Sequence, residues 1–444
     1  MDNNKIKKSL KYSIIDGAFS SSMIGFGESF FVAFALFLKA NNVQVGLISS
    51  LPQALGSLLQ LLSNRLIKLF QSRKNLVSIA ALFQGLMYVP IALVFFSGQL
   101  KIYHLIFFLC LYWMFGMILS PAWNSWMGDL TDEKERGSYF GRRNKITGFA
   151  SFASFMVAGY ILKMFAGGEL SQYVGFAGIF LLALVSRLIS FTFLRKKYEP
   201  VFEITKEAEF SFNDFIKQAR FSNFGLLVIY LCIMNFSVYL AAPFFTPYML
   251  NDLKFDYLTF TIVIGTAIII KPFTMPAWGK ASDRFGTKKI LSLTGFLMPL
   301  VPLLWLFSPN VFYLIIIQIY SGFIWGGFEI SSLSFIFDTT TSQKRATCVA
   351  YYNVINGFAM LLGAIIGGLL VRYNDVFWSH YLLVFLISFI LRMTTSFIFI
   401  PKIKEVRPVE FIPYPKLFLK IISTMPTSGL IYHLIPFKKS KNER

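Results

Sequence analysis

Long runs of apolar residues, almost free of charge, recur along the whole chain and constrain what it can fold into. Runs of about 18 residues or more are long enough to cross about 30 Å of hydrocarbon as α-helices. Of the 444 residues, 55% are hydrophobic and only 14% are charged, whereas soluble domains carry about 25% charged residues. Twelve such runs are present, six on each side of a charged segment at 196–223. The sequence therefore predicts an all-α membrane protein with twelve transmembrane helices.

The net charge of +20 follows the same plan, because the basic residues lie in the short connections between the apolar runs. They concentrate in alternate connections, and the other connections hold only Lys39, Lys101, Lys163, Lys254 and Arg372. Cytoplasmic loops carry such an excess of Lys and Arg, so both termini are expected in the cytoplasm and the protein in a cell (cytoplasmic or inner) membrane. A basic face with interleaved aromatic residues is not seen, which argues against binding of nucleic acid.

An internal repeat divides the chain into two halves. The segment from Asp129 to Tyr160, shifted by about 209 positions, falls on the segment from Asp338 to Leu369. Identical residues coincide at that one shift, among them Asp129 with Asp338, Arg136 with Arg345, and Asn144 with Asn353. Parallel repeats of this kind are a transporter plan with the solute site between the halves. We predict a six-helix bundle at 1–195, a cytoplasmic loop at 196–223, a second bundle at 224–401 and a cytoplasmic amphipathic tail at 402–444.

A loop motif follows the eighth apolar run. Its residues are Gly279, Asp283, Arg284, Gly286, Lys288 and Lys289. The spacing resembles the signature loop of the major facilitator superfamily, and helix number, central loop and repeat extend the resemblance over nearly the whole chain. The resemblance implies the major facilitator fold, with two pseudo-symmetric six-helix bundles and a cytoplasmic latch that stabilises the outward-open state.

Within the latch, Arg284 is expected to pair with a carboxylate on an adjacent helix, and Asp338 is the candidate. Arg345 follows it in the same connection. In the first half, Asn64 and Arg65 stand where Asp and Arg are expected, and Asp129 and Arg136 complete the counterpart. Because Asn64 brings no charge, a weaker first-half latch is predicted.

Three charged residues lie deep inside apolar runs, namely Glu28, Lys271 and Glu329. An ionised side chain at mid-membrane costs about 2.5 to 3.5 kcal/mol on insertion scales, so each needs a reason. In one interpretation, Glu28 or Glu329 carries protons and Lys271 tunes it or binds substrate. In the other, Lys271 and Glu329 form a permanent structural pair and Glu28 meets a polar neighbour.

Polar and aromatic residues near the same depth are weaker candidates for the wall of a substrate cavity: Gln53, Trp123, Asn124, Asn235 and Tyr239. Each could supply a hydrogen bond or a stacking face to a solute. Residues of these types are more often packing residues, which is the alternative for each of them.

We predict a secondary active transporter of a small solute that works by alternating access and is coupled to protons. No Gly-x-x-x-x-Gly-Lys-Ser/Thr loop is present, so ATP is not the expected energy source. No metal, cofactor or catalytic group is expected. The expected partners are a small-molecule substrate, protons and membrane lipid, and a monomer is expected. The alternative is a non-transporting sensor or interaction protein on a transporter scaffold.

Overall fold

The computed structural model describes residues 3–132, 136–200, 222–340, 342–410 and 412–423. The backbone of Asn64, Arg136 and Arg345 is described, but their side chains lie outside the described part, as do residues 424–444 of the tail. The predicted latch roles of these three side chains therefore stay predictions.

The first half contains six membrane segments. They are α1 (Asn3–Phe26, a 3-10 turn at Glu28–Phe30, then Phe31–Phe37), α2 (Asn42–Gln60 and Ser63–Phe70), α3 (Arg73–Leu86, Tyr88–Leu93 and Val94–Phe96), α4 (Lys101–Leu130), α5 (Arg136–Met164) and α6 (Glu169–Lys196).

The second half repeats the plan. Its segments are α7 (Asn223–Tyr239, a 3-10 turn at Ala242–Phe244, then Phe245–Pro247 and Tyr248–Asp252), α8 (Tyr257–Phe285), α9 (Thr287–Leu297 and Leu300–Leu304), α10 (Val311–Thr339), α11 (Ser342–Tyr373) and α12 (His380–Phe399, ending in Ile400–Lys402). A further helix, α13 (Tyr414–Ser423), follows.

In the described residues, eleven segments have the length and hydropathy needed to cross a membrane. The twelfth, α2, is not selected on those grounds because residues such as Ser49, Ser50 and Gln53 lower its hydropathy. It packs along α4 of its own half and along α11 of the other half. The predicted all-α plan of twelve helices is confirmed, with one helix more polar than its neighbours.

The two halves match in detail at their first helices. A 3-10 turn interrupts both α1 and α7. Two residues after the end of each helix comes a lysine with left-handed backbone, Lys39 (φ 67°) in the first half and Lys254 (φ 53°) in the second. An Asx residue caps the next helix in both halves, Asn41 for α2 and Asp256 for α8. The repeat read from the later helices therefore extends to the first helix of each half.

The turn between α8 and α9 depends on Gly286, whose φ of 101° lies in the left-handed region. A Cβ atom at this position would also collide with the carboxylate of Glu405. That carboxylate accepts a hydrogen bond from the Lys288 backbone N–H at 2.9 Å, at the start of α9. The predicted tight glycine turn is present, and an acid from beyond α12 caps the helix that follows it.

The first half uses the same turn in a different register from the one predicted. Gln71 (φ 51°) occupies the place of Gly286, and Glu199 caps α3 by accepting from the Arg73 backbone N–H at 2.7 Å. Counting back from the turn, Lys68 and not Asn64 lies opposite Asp283. The register given by the left-handed turn residue thus differs from the predicted pairing of Asn64 and Arg65 with Asp283 and Arg284.

Asp338 is not the partner of Arg284, contrary to the prediction. Arg407, from the chain after α12, bridges Asp338 and Asp283 with N–O distances of 2.6 and 3.1 Å. We call this bridge the clasp. Arg284 instead pairs with Glu410, at 2.8 Å between Nε and Oε2. The hydrogen bonds that Arg407 donates to Asp338 and to Asp283 raise the pKa of Arg407. The reason for the difference is that the tail brings its own cation to the two aspartates. These ion pairs lie within the second half and do not join the two halves.

The first half has its own version of this cluster. Arg73 is almost fully buried, and its Nη1 lies 2.6 Å from a carboxylate oxygen of Asp129 and 3.0 Å from the Ser125 hydroxyl. The predicted counterpart residue Asp129 is therefore engaged by a cation of its own half. In this conformation each half neutralises its own repeat aspartate.

The tail helix α13 is amphipathic, as predicted, but its apolar face packs on the protein. Leu417 and Ile421 are buried among residues of the second half, and the Phe418 ring contacts that of Phe323 at 6.0 Å between centroids. Lys416 and Lys420 remain exposed. Helix α13 therefore completes the core of the second half.

We predict that Arg407→Ala releases the tail. Loss of the charge-assisted bonds to Asp338 and Asp283 should lower the free energy of local opening by about 1 to 2 kcal/mol, since the cluster is partly exposed. Hydrogen exchange of the α13 amides in the purified protein should rise about tenfold, while that of α1 to α6 stays unchanged. Lys416→Ala, which removes an exposed cation from the same tail, is the matched control. Equal protection in the two variants would contradict the clasp.

Candidate functional site

A cavity of about 240 Å³ lies between the two halves, at the interruptions of α1 and α7. Its wall includes Glu28 from the 3-10 turn of α1, and Ala242 and Pro243 from the corresponding turn of α7. The other lining residues come from α1, α2, α4 and α7: Phe31, Val32, Ile48, Ser49, Gln53, Trp113, Tyr239 and Thr246. We call this space the central cavity. Interrupted helices place a solute site between repeats in known transporter plans.

Glu28 is held in this wall by a tyrosine. The hydroxyl of Tyr112 donates to Oε2 of Glu28 at 2.8 Å, and the hydroxyl of Tyr88 lies 3.3 Å from that of Tyr112. Both tyrosines are fully buried. The partner of the carboxylate is thus neutral, and a hydroxyl can act as a donor or as an acceptor.

Gln53 and Tyr239 join the halves across the central cavity. The Tyr239 hydroxyl donates to Oε1 of Gln53 at 3.3 Å, which connects α7 to α2. Tyr239 also lines a second cavity, of about 440 Å³, formed by α7, α10 and α11. There Asn235 donates to Asn356 at 2.8 Å, and Glu329 and Ser332 face the same space. Three of the five predicted cavity residues, Gln53, Asn235 and Tyr239, therefore line two adjoining cavities.

Lys271 and Glu329 form an ion pair between α8 and α10, with 2.9 Å between Nζ and Oε1. Their side chains are 39% and 42% exposed, so neither is sealed in the core. The contact expected if the two residues are structural partners is present.

Trp123 and Asn124 lie apart from both cavities. The Arg143 guanidinium lies over the Trp123 ring, 4.4 Å from its centroid, and Asn124 is exposed. Close by, Lys197 and Asp16 form an ion pair of 2.6 Å with both side chains almost fully buried. The structure therefore places Trp123 beside a buried ionic cluster and not beside Glu28.

Sequence reasoning missed several residues of the site: Tyr112, Trp113, Phe31, Tyr352 and Asn356. The aromatic residues carried no usable signal, because the chain has 51 Phe, 20 Tyr and 7 Trp. The amide of Asn356 was a usable signal, because it lies within the largely apolar membrane helix α11.

A third cavity, of about 260 Å³, lies between the halves near the α7–α8 connection. Two polar contacts cross from one half to the other there. Lys163 of α5 pairs with Asp256 at 2.9 Å, and Gln172 of α6 donates to the Tyr257 hydroxyl at 2.9 Å. We call the membrane side that holds these contacts the far face, and the side that holds the start of α1 and the end of α12 the terminal face. The far face is closed by contacts between the halves.

Comparison with known proteins shows which family has this architecture. The model of the family described as the Major Facilitator Superfamily matches residues 17–270 and 227–437. Among curated proteins, the "Vacuolar basic amino acid transporter 1" of Saccharomyces cerevisiae is 34% identical over 97 residues, which is 22% of this chain and 17% of that protein. The "Multi-drug resistance efflux pump PmrA homolog" of Lactococcus lactis is 24% identical over 235 residues, or 50% of this chain and 56% of that protein. The matches thus span from under a fifth to about half of these relatives.

Solved structures agree on the fold. Two crystal structures of the nucleoside transporter NupG superpose with TM-scores of 0.64 and 0.61, over 90% of this chain and 100% or 99% of theirs. Sequence identity is only 16% and 15%, so the likeness concerns the fold alone. With the family model covering nearly the whole chain, this protein belongs to the Major Facilitator Superfamily and is a multi-pass membrane protein.

Proposed function

We propose that this protein is a proton-coupled secondary transporter that works by alternating access, with Glu28 as the proton-carrying residue. The observation that supports this most directly is the position of Glu28 at the interruption of α1, on the wall of the central cavity. A carboxyl group there meets both halves of the protein. Ionisable residues inside a membrane span are functional candidates by default, and proton relays are a frequent use.

The partners of the two acids favour Glu28 over Glu329. Glu329 faces the ammonium group of Lys271 at 2.9 Å, so protonation of Glu329 would leave that cation unpaired. Glu28 faces the hydroxyl of Tyr112, which can turn from donor to acceptor when the acid takes up a proton. Glu28 can therefore change its charge without leaving an unmatched charge on its hydrogen-bond partner, and the nearby cation Arg187 keeps its own hydrogen bonds to Gln84 and Ser20.

Alternating access is supported by where the halves touch. At the far face, the pairs Lys163–Asp256 and Gln172–Tyr257 join the halves. At the terminal face, the ion pairs of Arg73 and Arg407 stay within one half each, and a hydrogen bond from Asn353 of α11 to Gln60 of α2 joins the halves at 3.1 Å. Along the interface, α2 and α11 approach so closely that a Cβ atom at Gly46 would meet the Ala364 carbonyl oxygen. Such an interface lets the halves rock against each other around a fixed site.

The orientation and setting are part of the proposal. The excess of Lys and Arg on the terminal face favours a cytoplasmic location of both termini, in a cell membrane. The structure then corresponds to a state closed to the outside. The division at 196–223, between bundles at 1–195 and 224–401, together with the tail at 402–444, is kept as the domain plan. Each half supplies part of the central cavity wall, so one copy surrounded by lipid is sufficient.

We predict that Glu28→Gln abolishes the use of a pH gradient. In proteoliposomes screened with amines, amino acids and nucleosides, accumulation driven by a pH gradient should fall at least tenfold, because the amide cannot take up a proton. Exchange of labelled against unlabelled solute needs no net proton movement, so it measures the effect of the variant on solute binding separately from its effect on coupling. Glu169→Gln, an exposed acid at the start of α6, is the matched control and should behave as wild type. Unchanged gradient-driven accumulation in Glu28→Gln would remove Glu28 from this role.

We predict the opposite pattern for Glu329→Gln. This variant leaves Lys271 without its partner, so the protein should lose about 1 kcal/mol of stability, a modest value because both side chains are partly exposed. Gradient-driven accumulation should persist. The double exchange Lys271→Glu with Glu329→Lys should restore the melting temperature. Loss of gradient coupling in Glu329→Gln at normal stability would favour the second acid instead.

We predict that tying the far face shut stops transport. Cysteines introduced by Lys163→Cys and Asp256→Cys, joined by a short bifunctional thiol reagent, should reduce turnover to background. The native Cys110, Cys232 and Cys348 are buried and should react little. Each single cysteine variant, treated with the same reagent, is the control. Normal turnover of the cross-linked protein would contradict rocking of the halves.

A further inference from the structure

We propose that the central cavity selects a small organic monocation, namely an amine with an aromatic or apolar body and no carboxylate. This inference rests on the proposed transport function and adds the class of substrate. The observation that leads to it is the chemistry of the cavity wall, which combines one carboxylate with three aromatic rings and an otherwise largely apolar lining.

The charge of the wall favours a cation of one unit. Among the lining residues of the central cavity, Glu28 is the charged one. In the adjoining cavity Glu329 is matched by Lys271, so that space is neutral on balance. An anion in the central cavity would face Glu28 without a lining cation to offset the repulsion. A dication would bring one positive charge more than the wall can match.

Three of the five lining side chains that carry hydrogen-bond donors, those of Ser49, Gln53 and Tyr239, donate within the protein. The hydroxyl of Ser49 donates to the Val45 carbonyl oxygen at 3.0 Å, and that of Tyr239 donates to Gln53. The Gln53 amide in turn donates to the Ser49 carbonyl oxygen at 3.0 Å. Oxygen lone pairs of Glu28 and Ser49 remain to accept. A ligand rich in N–H donors and poor in acceptors, as an ammonium group is, fits such a wall.

The aromatic residues strengthen the same preference. Phe31, Trp113 and Tyr239 line the cavity together with Glu28. The face of an aromatic ring attracts a cation by about 0.5 to 2 kcal/mol, more when water is excluded. The remaining wall, including Val32, Ile48 and Pro243, is apolar and suits a hydrocarbon body. The carboxylate and the aromatic rings thus favour a cationic group at one end of the ligand, and the apolar wall favours a hydrocarbon body attached to it.

Size sets the upper limit. A volume of about 240 Å³ lies below the range of about 300 to 1,000 Å³ of pockets that hold drug-sized ligands. A single-ring amine fits this limit, whereas large multi-ring cations do not. The inferred ligand is therefore a small amine.

Binding to the purified full-length protein tests this inference without any transport step. The probe is 2-phenylethylammonium, compared by calorimetry at pH 7 with its neutral analogue 2-phenylethanol, the anion 3-phenylpropionate and the dication of 1,4-diaminobutane. We expect the monoamine to bind at least tenfold more tightly than each of the other three, because a charge-assisted contact is about that much stronger.

Two variants locate the binding. Glu28→Gln should abolish the preference for the amine over the alcohol, and Trp113→Leu should weaken amine binding severalfold while the carboxylate remains. Glu28→Asp, which keeps the charge, shows by retained amine preference that a loss in Glu28→Gln is not misfolding. Glu169→Gln should bind as wild type. Equal binding of the amine and the alcohol by wild type, or an amine preference that survives Glu28→Gln, would overturn the inference.

Failure of this inference and failure of the proposed function give different results. If the amine binds through Glu28 but no pH gradient drives its accumulation, the cation site stands and proton coupling fails. If a pH gradient drives accumulation of another solute and the amine neither binds nor competes, coupling stands and the monocation inference fails.

Discussion

The cost of an unmatched charge away from water governs the placement of charged residues in this protein. An ionised group at mid-membrane costs about 2.5 to 3.5 kcal/mol or more, so each one in the fold has been given a partner or a polar surrounding. Lys197 is matched by Asp16 in the buried cluster of the first half. Arg187 donates to Gln84 at 2.5 Å and to Ser20 at 2.9 Å. Glu28 stands out because its hydrogen-bond partner is a neutral phenol.

The repeat determines the arrangement of the helices, and the residues that differ between the halves determine the chemistry of the central cavity. Both first helices are interrupted at the same place, yet the first half has Glu28 there and the second has Pro243. Arg187 lies in α6 and Arg392 in α12, the last membrane helix of each half, but Arg392 donates to a backbone carbonyl oxygen, that of Val238, at 3.4 Å. A structural role suffices for features that both halves share. A residue found at one interruption only, and facing the cavity, is where a function specific to this chain is expected.

Much of the fold was predictable because segments that cross a membrane must be apolar, and the hydropathy of the sequence therefore marks them. Helix number, the two halves and the break near residue 200 follow from apolar runs and charge placement. The register of the connecting loops did not follow from the sequence. The pair Asn64 and Arg65 resembles the Asp-Arg pair of the loop motif, whereas the turn residue Gln71, which fixes the geometry, does not resemble the glycine of that motif. The clasp by Arg407 was equally hidden, because nothing local links this residue to Asp338, far away along the chain. The position of Glu28 deep in an apolar run could be predicted from the sequence, but its hydrogen-bond partner Tyr112 could not.

A transporter that couples to protons needs a group whose charge can change without disturbing the fold. Lys197 and Asp16 cannot serve, because protonation of Asp16 would leave a buried ammonium group unpaired. Glu329 has the same difficulty to a smaller degree. Glu28 avoids it, since Tyr112 stays neutral and a hydroxyl hydrogen turns freely. The interruption of α1 adds a second requirement, since it places this acid on the wall where a solute would lie. The two conditions together, a neutral hydrogen-bond partner and a place on the wall of the central cavity, distinguish Glu28 from Asp16 and Glu329, and they make a positively charged solute a natural competitor for the proton.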